Sequence, residues 1–203
     1  TTIEDAVLRC VVAKSIKTDR VDILEIGTLF GIGGAMLHEA VRSSGRQPHL
    51  TLLDPLEGYY SRNSLDIVTQ HPVDEPTVRG NMALAQIPPE DLTLIKAFST
   101  EPEALAAAAE RRYDMLVIDG DHSYSGVAAD FRLYGPLVKV GGYILFDDYG
   151  APDWPDVQRY VDDEMPSCDW CVPVGSEWRT AVFRVISEPP RPGARRSRSA
   201  ATA

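Results

Sequence analysis

Positive charge is what this chain lacks most. Its 20 lysines and arginines face 30 acids, a net of −10 over 203 residues, and Arg191, Arg195, Arg196 and Arg198 sit in the last stretch. Set those 4 aside and 16 basic residues face 30 acidic ones. A protein that grips a phosphate backbone needs the opposite sign, so nucleic acid is not an expected partner. The acidity reads instead as a solvated surface that favours solubility. Long apolar runs are also missing, and no basic-then-apolar segment opens the chain, so no membrane contact is expected and a cytoplasmic location is. Cysteine is sparse. Three thiols build no disulfide framework, and Cys168-Asp169-Trp170-Cys171 is a single CxxC without a second metal-ligating pair, read as buried or idle thiols.

What is present is an alternation of strand and helix patterns. Residues 3 to 17 place Ile3, Val7, Leu8, Val11, Val12 and Ile16 near helical spacing, which predicts an amphipathic helix within an N-terminal portion of residues 1–20. Strands follow at Val21 to Ile26, His49 to Leu53, Leu92 to Ala97, Asp114 to Ile118 and Tyr143 to Phe146. Helices are expected from Ala35, at Met82 to Ile87, Glu101 to Arg112, Gly126 to Leu137 and Val157 to Met165, with Gly141-Gly142 as a turn. Trp170 to Val174 and Thr180 to Ile186 flank Gly175-Ser176 and predict an antiparallel hairpin. The result is an α/β fold with a mostly parallel sheet and one reversed strand, in a single domain of residues 1–187. Residues 55–81 show no periodicity and read as a lid or substrate segment. Residues 188–203, rich in Pro, Arg, Ser and Ala, read as a disordered tail.

Chemistry must come from the loops. One strand empties into Asp119-Gly120-Asp121-His122 and the next into Asp147-Asp148. In an open α/β sheet the ligand crevice lies beyond the carboxyl ends of the strands, so these acids form a cation-sized cluster there. A divalent ion would relieve their repulsion, and His122 stands where a general base could reach a bound substrate. The first loop, Glu25-Ile26-Gly27-Thr28-Leu29-Phe30-Gly31-Ile32-Gly33-Gly34, departs from GxGxxG. Leu29 falls where the second glycine would admit a pyrophosphate, which counts against a nicotinamide cofactor. Asp54, closing the second strand, is placed for ribose hydroxyls.

Leu-Glu-Ile-Gly at 24–27, Leu-Leu-Asp-Pro at 52–55, Ile-Asp-Gly-Asp-His-Ser-Tyr-Ser-Gly-Val at 118–127 and Gly-Gly-Tyr-Ile-Leu-Phe-Asp-Asp-Tyr at 141–149 together resemble class I S-adenosylmethionine-dependent methyltransferases. Among these the chain is most similar to bacterial small-molecule O-methyltransferases of natural-product and sugar tailoring. The resemblance implies a Rossmann-like, seven-stranded sheet ending in an antiparallel hairpin. It implies that Glu25 and Gly27 line the methionine and ribose part of the cofactor site, that Asp54 holds the ribose hydroxyls and that Ser99 lies near adenine. It further implies that Asp119, Asp147 and Asp148 bind Mg²⁺ or Mn²⁺, with Asp119 also at the catalytic centre, and that His122 is the base.

Such residues suit methyl transfer. The sulfonium methyl is already activated, so the protein must align donor and acceptor and make the acceptor oxygen more nucleophilic. The expected acceptor is a hydroxyl of a small molecule such as a sugar or glycosylated metabolite, with homo-oligomer formation left open. Asp121 is read as a cap of the following helix, and Trp154 and Trp178 as packing near the rim. The competing readings are a noncatalytic cofactor-binding partner or sensor, and a nicotinamide enzyme.

Overall fold

The computed structural model describes residues 3–57, 65–66 and 69–190. Tyr59, Tyr60, Arg62 and Asn63 of the expected lid, and all of the expected tail beyond Pro190, lie outside the described residues. Seven strands form one sheet: β1 (Arg20–Ile26), β2 (Gln47–Asp54), β3 (Leu92–Lys96), β4 (Tyr113–Ile118), β5 (Val138–Phe146), β6 (Cys171–Glu177) and β7 (Thr180–Val185). Their order is β3-β2-β1-β4-β5-β7-β6, parallel except for β7, which runs against both β5 and β6. The α/β class and the reversed strand are therefore as expected.

The near-continuous apolar strands are explained by cover on both faces. Successive side chains of a strand point to opposite faces, and the chain uses both. Leu24, Ile26, Leu116 and Ile118 pack on one side with α4 (Pro102–Ala108), α5 (Tyr124–Tyr134) and α6 (Pro155–Glu164). Ile23, Leu50, Leu52, Met115 and Val117 pack on the other with α1 (Ile3–Ser15), α2 (Ile32–Arg42) and α3 (Glu75–Leu84).

Three details differ from the sequence reading. Helix α3 starts inside the stretch without periodicity: Asp74 caps it by accepting from the Thr77 N–H at 2.9 Å, and Pro76 sits in its first turn. Only Val78 and Met82 are buried on it, too few for a periodic signal. Gly141 and Gly142 form no turn but lie within β5, with Gly141 at φ 89°. The β6–β7 turn falls at Trp178-Arg179, because Gly175 belongs to β6 beside an irregularity in the pairing after Pro173.

Helix α1 buries only part of its expected apolar set, Val12 with Ile16 just beyond the helix end, together with polar residues. Ile3, Val7 and Val11 are exposed, whereas Asp5, Arg9, Val12 and Ala13 are buried. The Arg179 N–H donates to Asp5 Oδ1 at 2.9 Å, which fastens the helix to the β6–β7 turn. No helix among the described residues is long and apolar enough to cross a membrane.

Candidate active site

The strand order reverses between β1 and β4, the place where such sheets open a crevice. A cavity of about 590 Å³ lies there, lined by the ends of β1, β2 and β4 and roofed by α1 and α2. Glu25, Gly27, Asp54, Ser99, Asp119, His122 and Asp148 all line it. Ladder bonds set the strand ends level: the Asp119 N–H donates to Ile26 O at 2.9 Å and the Asp147 N–H to Ile118 O at 3.0 Å.

The first loop is organised by carboxylates from below. Glu25 Oε2 accepts from the Thr28 hydroxyl at 2.9 Å and from the Gly34 N–H at 3.1 Å. Asp54 Oδ2 accepts from the Thr28 and Leu29 N–H groups, each at 2.9 Å, and its Oδ1 from the Leu56 N–H at 2.7 Å. Gly27 has φ 82°, and a Cβ there would stand 2.0 Å from Asp119 O. The loop and the β4 end thus touch backbone to backbone, which is what a side chain at 27 would prevent. Burial pushes the Glu25 carboxyl up to about 7 despite the opposing charge of Arg9, and it raises Asp54 against its three backbone donors.

The acids after β4 and β5 divide into two groups. Asp119 Oδ1 and Asp148 Oδ2 face His122 Nε2 at 3.4 and 3.1 Å. One ligand atom from each of these three residues lies within 4.8 Å of the others, a spacing that a metal ion could bridge. Asp148 adopts φ 57°, a left-handed conformation that Asp tolerates better than most side chains. Burial alone would lower the His122 pKa, but its hydrogen bonds to Asp119 and Asp148 and their charges push it up to about 9.

Asp147 is not brought into that trio. It turns to the Arg9 guanidinium, and its Oδ1 lies 3.4 Å from the Thr180 hydroxyl. Arg9 also donates to Asp119 Oδ2 at 3.1 Å and lies 3.7 Å from Glu25. Asp147 is held below the usual carboxylate range by Arg9 against the effect of burial, while burial raises Asp119.

Sequence reasoning missed Arg9. Its one signal is helical spacing with Asp5, Val12 and Ala13, which are buried on the same helix. Asp121 also departs from its expected role: Ser123 is the N-cap of α5, accepting from the Gly126 N–H at 3.1 Å. Asp121 braces that cap by accepting from the Ser123 N–H at 2.9 Å and its hydroxyl at 3.0 Å. Trp154 lies against His122, the rings stacked at 4.6 Å and 20°. Ser99 follows β3, and its carbonyl accepts from the Tyr134 hydroxyl at 2.6 Å.

Comparison with solved structures places this geometry among known folds. The O-methyltransferase NovP superposes with a TM-score of 0.70 at 18% identity, covering 91% of this chain and 81% of that one. Cofactor-bound Rv0187 from MTB gives 0.64 at 20%, with the same coverages. The methyltransferase MycE of the mycinamycin pathway, solved with Mg, SAH (S-adenosylhomocysteine) and mycinamycin VI, gives 0.52 at 16%, covering 84% of this chain and 46% of that one. A curated relative, uncharacterized protein R132 of Acanthamoeba polyphaga mimivirus, is 49% identical over 55 residues, so the match spans about a quarter of either chain. A family model described as a methyltransferase domain matches residues 24–149, from the end of β1 to the acids after β5, and the chain belongs to that family.

Proposed function

We propose that this protein transfers a methyl group from S-adenosylmethionine to a hydroxyl of a small molecule, a sugar or glycosylated metabolite being the favoured class, with a divalent ion and a histidine base. One observation carries the reading: the acids ending β1, β2, β4 and β5 and the His122 imidazole meet around a single cavity of about 590 Å³. Sugar and natural-product O-methyltransferases among the structural relatives support the acceptor class.

The loop that Glu25 orders would hold the cofactor's methionine end, and Asp54 its ribose. A carboxylate has about four acceptor sites, and three of Asp54's are taken by backbone N–H groups, which leaves about one for a ribose hydroxyl. Asp54 would therefore hold one hydroxyl directly, and it shapes the loop for the rest. Ser99, which also lines the cavity, would border adenine.

The donor set fits a hard divalent ion. Asp119 and Asp148 offer carboxylate oxygens on the cavity side, as Mg²⁺ or Mn²⁺ requires. Such an ion, when bound, orients the acceptor hydroxyl and lowers its pKa. The rest falls to the chain. Asp119 and Asp148 would hold the His122 imidazole at the cavity, with Trp154 on its ring plane; a cation on those two carboxylates would offset the charges that keep the His122 pKa near 9, and the neutral imidazole would take the hydroxyl proton as the acceptor oxygen bonds to the methyl carbon. S-adenosylmethionine, when bound, would supply the activated methyl group and leave as the neutral thioether S-adenosylhomocysteine.

Two measurements test this. Titration calorimetry should show binding of S-adenosylmethionine or its demethylated product and none of nicotinamide cofactors. Methyl transfer to a panel of hydroxylated sugars should then appear with Mg²⁺ or Mn²⁺ and fall away on exhaustive chelation. Absence of cofactor binding would sink the methyltransferase reading. Full activity after chelation would remove the ion alone, and binding without turnover on any acceptor would favour a sensor.

A further inference from the structure

The Arg9 guanidinium is buried in the middle of the acids on which the proposed chemistry depends. Only 2% of its side chain is exposed, and it faces Glu25, Asp119 and Asp147 together. The two aspartates after β5 are adjacent in sequence yet differ in surroundings. The Asp147 side chain is 1% exposed, with one oxygen on Arg9 and the other beside the Thr180 hydroxyl. The Asp148 side chain is 16% exposed and opens on the cavity with Asp119, which is 18% exposed.

We propose that Arg9 is an internal cation that withholds Asp147 from any divalent ion at this site, leaving Asp119 and Asp148 as the ion's protein carboxylates. This rests on the methyltransferase reading above and narrows it. A divalent ion drawn to Asp147 would have to approach a fixed guanidinium that already lies on that carboxylate, and like charges that close repel. The guanidinium cannot yield by losing its proton, because arginine stays charged in proteins. Nor can it easily swing away. Helix α1 is fastened at Asp5 to the Arg179 N–H and at Val12 and Ala13 to the core, so Arg9 is held from both sides along the helix.

Asp119 is the joint between the two halves. Its Oδ2 accepts from Arg9 and its Oδ1 faces His122. Arg9 thereby positions Asp119 with one oxygen turned into the cavity, and it is a positioning residue, since the groups it touches are the acids and the acceptor lies beyond them.

The test is Mn²⁺ binding by the 203-residue chain with S-adenosylhomocysteine present, followed by calorimetry and by loss of the free-ion electron paramagnetic resonance signal. Asp148→Asn should weaken binding by about 100-fold or more and Asp147→Asn by less than about threefold, the first being a ligand and the second a withheld acid. The Arg9→Gln/Asp147→Asn double variant, which deletes the pair together, should bind at least as tightly as the parent. Arg9→Lys should keep parental affinity, because the withholding positive charge stays in place. Equal losses in Asp147→Asn and Asp148→Asn, with the double variant as weak as either, would overturn the role of Arg9 and leave the cation reading standing. A parent that binds no Mn²⁺ would overturn the cation reading and this inference with it. Thermal melting of each variant shows whether it is folded, and the Asp147→Asn and Asp148→Asn pair decides the matter if the Arg9 variants are not.

Discussion

The indole of Trp154 lies flat on the imidazole of His122, the ring centroids 4.6 Å apart and the planes 20° from parallel. Trp154 is the residue before α6, and His122 precedes α5, so two helix starts on neighbouring loops fix one ring plane. An aromatic stack of this kind is worth about 0.5–1.5 kcal/mol.

If the stack holds His122 in its working orientation, Trp154→Ala lowers methyl transfer by about tenfold, the rate equivalent of about 1.4 kcal/mol. His122→Ala lowers it by about 10²- to 10⁴-fold. Trp154→Phe recovers most of the loss, and cofactor affinity stays the same in all three. Single-turnover rates with saturating cofactor read this directly, and a Trp154→Ala rate equal to the parent's would reduce the stack to packing.

Asp54→Ala removes the partner of three backbone N–H groups at once. Each buried donor left without a partner costs about 1–3 kcal/mol. The expected result is a lower melting temperature without ligand, and little of the stabilisation by S-adenosylhomocysteine that the parent shows. Asp54→Asn, which keeps acceptor oxygen on one side, falls between. A variant that melts like the parent and still binds the cofactor normally would show that the loop orders itself without Asp54.

Gly27→Ala meets two obstacles together: φ 82° and a Cβ placed 2.0 Å from the Asp119 carbonyl. Backbone cannot move aside as a side-chain tip can. The variant is expected to lose about 4 kcal/mol or more of stability, or to fail to fold, as judged by denaturant unfolding. A loss below about 1 kcal/mol would mean that the β1 and β4 ends stand farther apart than they do here.

Asp130 supplies a dependence on pH that is independent of the metal. It lies on α5 beneath Gly120, is 1% exposed, and burial pushes its carboxyl up to about 7, with Ser99 the neighbour favouring the charged form. Neither carboxylate oxygen makes a well-formed hydrogen bond, so burial decides the direction. The folded chain therefore holds a proton that the unfolded chain releases near pH 4. Stability from this group is complete at low pH and is lost between about pH 4 and 7, at up to about 1.4 kcal/mol per pH unit. Melting from pH 5 to 8 should show the parent losing more stability than Asp130→Asn. Equal slopes in the two proteins would mean that Asp130 is ionised throughout.

Much of the fold was legible because it rests on local patterns. Strands β1, β2 and β4 announced themselves as apolar runs ending in Glu25-Ile26, Asp54 and Asp119, and the hairpin of β6 and β7 by its position after the last parallel strand. Helix α3 was not legible, since its start depends on the Asp74 cap and its packing on two residues, Val78 and Met82. The β6–β7 turn was placed at the wrong pair, because Gly175 marks an irregularity inside a strand as readily as a turn.

The sequence by itself determined that acids would stand at the ends of β1, β2, β4 and β5, because the apolar runs set where each strand stops and the next residue must leave the sheet. Only the tertiary structure decided where those acids point. Asp147 and Asp148 are neighbours in the chain, but leaving β5 sends one carboxylate inward to Arg9 and the other, through a left-handed residue, into the cavity with Asp119 and His122. Arg9 meets the inward one and also joins Asp119 across 110 positions of chain. No periodicity carries that pairing, because charge meeting charge across the core depends on how helix α1 seats on the finished sheet.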